Sequence, residues 1–181
     1  IRTWVSDKTI SLDGTLQDTY FPGLYEYLEK KGYEVIIIPN FYNLTLSSKE
    51  IQVRINKCRY QFFIPENYLT RRDYFRILSI LVYQAVISHF DDVEHSGKDI
   101  SKILTETQRA GIFLSYIYIA QTLALKNLSK IGFQIKSFIY TFENMFPEKP
   151  FSYAIKEYFP GVKSIGFQHS VLYPLQTCLY P

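Results

Sequence analysis

Two hydrophobic periods alternate along this chain. Residues 1–6 (IRTWVS) read as the tail of a strand, and a polar stretch from Asp7 to Thr19 follows, with a turn at Asp13-Gly14. From Tyr20 to Lys31, Leu24, Tyr27 and Leu28 share one face while Glu26, Glu29 and Lys30 are charged, which predicts an amphipathic helix. Gly32 closes it with a left-handed cap. Tyr33 to Ile38 (YEVIII) is a short β-branched run of the kind found in buried parallel strands, and Pro39-Asn40 is expected to end it. Strand, helix, glycine and strand within forty residues make a βαβ unit.

The middle is less regular and mostly helical. Residues 47–56 predict a short helix, and residues 59–64 (RYQFFI) a strand stopped by Pro65-Glu66-Asn67. Thr70 is a helix cap with Asp73 three residues on, an imperfect capping box, and a helix runs from Arg71 to about His89. Residues 91–97 (DDVEHSG) read as a polar loop. A helix restarts over Asp99–Thr107, and a long one spans Gly111–Lys130 with Gly132 as its cap. The period of two then returns. Ile135–Phe142 predicts a strand, Pro150–Phe159 a helix with proline in its first turn, and Lys163–Gln168 a strand. The whole is an α/β chain with a parallel sheet and a helical insertion over about residues 70–131. Residues 1–170 form one domain, and residues 171–181 read as a linker or tail.

Composition narrows this picture only in places. The 181 residues suffice for one ordinary core, and 47% hydrophobic with 20% charged residues is a globular balance. The net charge is +3, with no dense basic block, so the electrostatic footprint of a nucleic-acid binder is missing. Cys58 and Cys178 are far apart and form no metal or redox motif. Residues 110–125 are the most apolar run but are too short and too polar for a membrane span. The motifs GxGxxG, GxxxxGK[ST] and GxSxG are absent, which disfavours a dinucleotide oxidoreductase, a P-loop NTPase and a typical serine hydrolase.

Candidate chemistry gathers at the ends of the last two strands. Ligands of open α/β sheets bind outside the carboxyl ends of the strands. Glu143-Asn144 follows one such end, and Gln168-His169-Ser170 the other. His169 has the near-neutral pKa of a general base, and local backbone satisfaction is its plain alternative. Glu143 beside Asn144 offers the acceptors and donors that grip sugar hydroxyls, with helix capping as the plain role for Asn144. Glu148 suits a helix start. Lys149 does not, which hints at an anionic partner. Asp18, after the first strand, is expected to face the same cleft as Asp7. Arg109 sits at an expected helix boundary within reach of a phosphate or carboxylate, with a surface ion pair as the plain reading. No tight metal spacing occurs. Asp91-Asp92-x-Glu94-His95 comes nearest and reads as a solvated loop.

The runs Tyr140-Thr141-Phe142-Glu143-Asn144, Pro147-Glu148-Lys149 and Gly166-Phe167-Gln168-His169-Ser170 resemble bacterial surface-carbohydrate glycosyltransferases of the GT-B type. So does the opening from Gly14 through Asp18, Tyr20-Phe21, Leu28 and Gly32 to Pro39-Asn40. The resemblance covers both ends of the chain and not its helical middle. It implies a Rossmann-like N-terminal, acceptor-side half, with the donor-binding half outside this chain and little activity from this part alone. It further implies a carbohydrate acceptor, a nucleotide-sugar donor as co-substrate, no other cofactor and no metal. A cytoplasmic location at the inner face of a membrane, with peripheral association, also follows from it. His169 would then deprotonate an acceptor hydroxyl or steady the donor phosphate, and Glu143 would position the acceptor. Asn144, Glu148, Lys149, Gln168, Ser170, Asp18 and Arg109 are the candidate binding residues. A nucleotide-sugar epimerase of similar architecture and a non-catalytic Rossmann-like interaction module remain the alternatives.

Overall fold

A computed structural model describes residues 1–87, 90, 92–142 and 148–168. Described residues 1–64, 135–142, 148 and 161–168 form one compact unit, and those within 65–134 and 149–160 form a second.

The first unit is a five-stranded parallel sheet with a Rossmann-like order. In chain sequence its elements are β1 (Arg2–Val5), α1 (Leu24–Lys30), β2 (Ile36–Phe41), α2 (Ser48–Lys57) and β3 (Gln61–Phe62). The numbering of the sheet resumes after the second unit's hairpin, β4 (Glu94–His95) and β5 (Lys98–Asp99), with β6 (Ser137–Thr141) and β7 (Lys163–Phe167). The strands lie in the order β3-β2-β1-β6-β7, every pair parallel. Register puts Thr3 beside Pro39, so Thr3, Val5 and Ile37 share one sheet face. On that face Ile37 packs with Phe21, Tyr25, Val35 and Tyr60, and Val5 with Ile10 and Ile55. Both α1 and α2 therefore cover the same side. Arg2, Ile38 and Phe138 are buried on the other.

Helix α1 starts later than the sequence pattern predicts, because Pro22-Gly23 precedes it and Gly23 takes a left-handed φ of 74°. Its end is as predicted. Gly32 donates to the Glu29 carbonyl at 2.8 Å and Tyr33 to the Leu28 carbonyl at 3.0 Å, the paired bonds of a Schellman cap. Strand β2 does not stop at Pro39. Ile38 donates to the Ile1 carbonyl and Tyr42 to the Val5 carbonyl, so even-numbered amides face β1 and odd-numbered ones face β3. Pairing with β3 covers only Ile36 and Ile37, so the missing amide of Pro39 falls where no ladder bond is required. Ser47 and Glu50 exchange hydrogen bonds as a capping box at the start of α2.

The second unit is helical. Residues Pro65–Tyr68 make a single 3-10 turn, followed by α3 (Arg71–Ile87), the β4–β5 hairpin, α4 (Ser101–Lys130) and α5 (Glu148–Tyr158). The Thr70–Asp73 capping box forms in full: Thr70 donates through its backbone and hydroxyl to Asp73 Oδ2, and Asp73 N donates back to Thr70 Oγ1. Asn127 Nδ2, on α4, donates to the same carboxylate and to the Tyr68 carbonyl, each at 2.8 Å. Ile77, Ala120 and Leu123 form the core between α3 and α4. Two expectations are overturned here. The polar loop around residues 92–97 is a hairpin turning at Ser96-Gly97, both at positive φ. The two helices expected on either side of Ala110 are one helix of 30 residues, since an internal glycine costs only about 1 kcal/mol against alanine. Helix α5 begins two residues before Pro150, which keeps proline in the first turn, where no amide partner is lost.

Candidate functional site

The sheet grows outward from β1 to β2 and β3, then resumes on the other side of β1 with β6 and β7. This reversal makes the carboxyl ends of β1 and β6 the topological switch point, where open α/β sheets form their ligand crevice. The wall expected from β6 and β7 thus gains a neighbour, the loop that follows β1.

Strands β6 and β7 are adjacent and in register from Ser137↔Lys163 to Thr141↔Phe167, and Phe142 N donates to the Phe167 carbonyl at 2.8 Å. Chain segments leading toward Glu143-Asn144 and toward His169-Ser170 therefore leave the sheet side by side at one edge. Glu143, Asn144, His169 and Ser170 themselves lie outside the described residues. Gln168 is exposed, directly after β7. Behind it, Phe138 stacks on Tyr140 with centroids 5.1 Å apart, and Tyr140 meets Phe142 edge-on at 6.1 Å. Gly166 makes room for this row, because a Cβ there would stand 2.9 Å from Phe142 Cβ.

After β1 the chain makes a tight turn. Ser6 N donates to Thr9 Oγ1 at 2.9 Å, and Thr9 N to the Ser6 carbonyl at 3.0 Å. The Asp7 carboxylate accepts from Thr45 Oγ1, from Thr45 N at 2.8 Å and from Leu46 N at 3.4 Å. The Thr45 hydroxyl and amide hold this carboxyl below its ordinary pKa. Arg54 donates to the Asp7 and Ile10 carbonyls at 2.9 and 2.8 Å. The loops after β1 and β2 are thereby latched together at the switch-point edge. Ser6, Thr9, Thr45 and Arg54 carry no motif, and only their place after the first two strands could have singled them out.

The other candidates divide between the two units. Asp18 is buried and committed to structure: one oxygen accepts from Tyr20 N at 2.8 Å and Phe21 N at 3.3 Å, and the other from Tyr25 Oη. Burial first, and then the charge of Asp18, raise the Tyr25 phenol far above its ordinary pKa. The carboxylate anchors the entry to α1 and is turned into the core, not toward a cleft. Glu148 and Lys149 open α5, with Glu148 buried and Lys149 exposed. Arg109 is not at a helix boundary. It lies exposed inside α4, because the helix continues through Gly111. Among the described residues no group of three His, Cys, Asp or Glu side chains is arranged to hold a metal ion.

Comparison of the chain with protein-family models, characterised proteins and solved structures returns no match.

Proposed function

We propose that this chain is the acceptor-side, Rossmann-like part of a glycosyltransferase that moves a sugar from a nucleotide-activated donor to a surface-carbohydrate acceptor. One observation carries the reading: β6 and β7 are neighbours beside the β1–β6 switch point, and Phe142 and Gln168, the residues that precede Glu143 and His169 in the chain, follow those two strands. In this reading an acceptor hydroxyl attacks the anomeric carbon. His169 takes its proton, the anomeric carbon–phosphate oxygen bond breaks, and the nucleoside diphosphate leaves with the electron pair. Glu143 and Asn144 grip neighbouring hydroxyls, and Gln168 and Ser170 line the rim; Lys149 belongs to the helical unit and is given no part in the site. Asp18 supports α1 and touches no substrate, and Arg109 is left out of the site.

The test is product analysis over a panel of nucleotide sugars, with the intact protein that carries this chain. His169→Ala is expected to lower kcat/KM by about 10²- to 10⁴-fold, the range of a lost general base, with thermal stability unchanged. Glu143→Ala is expected to raise KM for the acceptor. Full activity in both variants would remove these residues from the site. A free epimerised nucleotide sugar as the product would replace transfer by epimerisation.

A further inference from the structure

Helix α3 has two apolar faces, and the core explains only one of them. Ile77 is buried against Ala120 and Leu123, with Leu81 beside it. On the opposite side Phe75, Leu78, Val82 and Val86 follow the spacing i, i+3, i+7, i+11 and make one stripe. They are 72%, 57%, 53% and 74% exposed, and Tyr83 flanks them at 64%. Ser79 is the only polar side chain within the stripe. Arg71 and Arg72 continue the same face at the helix start, and Arg76 borders it, all three exposed. Among the described residues no carboxylate pairs with them. Asp73, the one acid of α3, is taken up by Thr70 and Asn127. From Arg71 to Val86 the face runs about 23 Å. A contiguous apolar patch with a polar rim marks an interaction site.

We propose that the outer face of α3 docks on an anionic membrane surface, lying in the interface. Charge chooses this occupant. A second copy paired along α3 would set arginines against arginines, or against the uncharged end from Val82 to Ile87, and in neither case against an acid. An anionic bilayer supplies both needs in one layer: phosphates for Arg71, Arg72 and Arg76, and the acyl boundary for Phe75, Leu78, Val82 and Val86. No helix among the described residues is long and apolar enough to cross a membrane, so the contact made by this helix is a lateral one. The inference does not depend on the proposed sugar transfer, and vesicle binding is measured without any substrate.

The experiment is sedimentation of the whole chain with phosphatidylcholine vesicles, with and without phosphatidylglycerol. Binding is expected only with phosphatidylglycerol and is expected to fall with added salt. Arg71→Gln with Arg72→Gln should weaken it roughly thirtyfold, about fivefold for each arginine at an anionic surface. Phe75→Ser with Val82→Ser should weaken it at least about tenfold through lost apolar burial, with Tm unchanged because both side chains are exposed. Absence of phosphatidylglycerol-dependent binding, or binding that persists in both variants, overturns the proposal. So does a lowered Tm in Phe75→Ser/Val82→Ser, which would mean that the chain itself covers the face. Concentration-dependent self-association lost in that variant would likewise give the face to a second copy.

Discussion

Replacing Gly14 by alanine should damage the sheet-bearing unit more than any other single-methyl insertion at its turn glycines. Gly14 has a φ of +88°, and a Cβ there would lie 2.5 Å from the carbonyl carbon and oxygen of Lys57 and 2.8 Å from Cys58 N. These are backbone atoms at the end of α2, so no side-chain rotation can clear them. Two costs combine: about 1–2 kcal/mol for a left-handed non-glycine residue, and about 1–3 kcal/mol for forcing a methyl into packed structure. The sum, about 2–5 kcal/mol, is a large part of the 5–15 kcal/mol that holds a typical domain. Gly161 supplies the control. Its φ is +90°, but nothing lies within 4 Å of its would-be Cβ, so Gly161→Ala pays the conformational cost alone. Urea unfolding of both variants should show a larger drop in midpoint for Gly14→Ala by the steric share, at unchanged slope. Equal losses would mean that the Asp7–Thr19 loop is not pressed onto the end of α2, and the reasoning would fail.

Three further outcomes follow from the same geometry. Asp18→Ala leaves the Tyr25 hydroxyl and two amides without their acceptor and should cost about 2–4 kcal/mol. Adding Tyr25→Phe should recover part of that loss in a double-mutant cycle, and additive losses would refute the pairing. The Asp7 carboxyl should titrate below the usual aspartate range by carbon-detected NMR. Since its folded pKa is depressed, its contribution to stability is complete above the unfolded value of about 3.9 and is lost as pH falls through the folded value. Thr45→Val, which removes the leading hydroxyl donor, should move that titration back up. Gly166→Ala should crowd Phe142 and weaken the β6–β7 edge, visible as faster amide exchange at Phe142 while Ile37 stays protected.

Local chemistry was easier to read from sequence than reach. The Thr70–Asp73 cap and the left-handed cap at Gly32 were visible because each is settled by residues within one helical turn. Pro39 misled because proline ends a strand only where an amide is needed, and which neighbour needs it is decided by the length of β3, some twenty residues on. Gly111 misled because a glycine's cost is small beside the packing of a long helix, and Arg109 lost its boundary with it. Asp18 looked like a cleft residue because it follows a strand, but its two oxygens are spent on Tyr20, Phe21 and Tyr25. The latch of Asp7 on Thr45 joins loops 38 positions apart and leaves no pattern in the sequence.

The pairing of β1 with β6 also sets a timetable. Arg2 leaves the ribosome well before its partner Tyr140, which is made only after the whole helical segment. At roughly 5–20 residues per second, β1 waits on the order of ten seconds with that edge open. An open strand edge is a template for unwanted pairing with another chain. During synthesis the nascent β3-β2-β1 half therefore presents its most hazardous surface at the centre of the finished sheet. Holding that edge until β6 arrives is a task for whatever first meets the emerging chain.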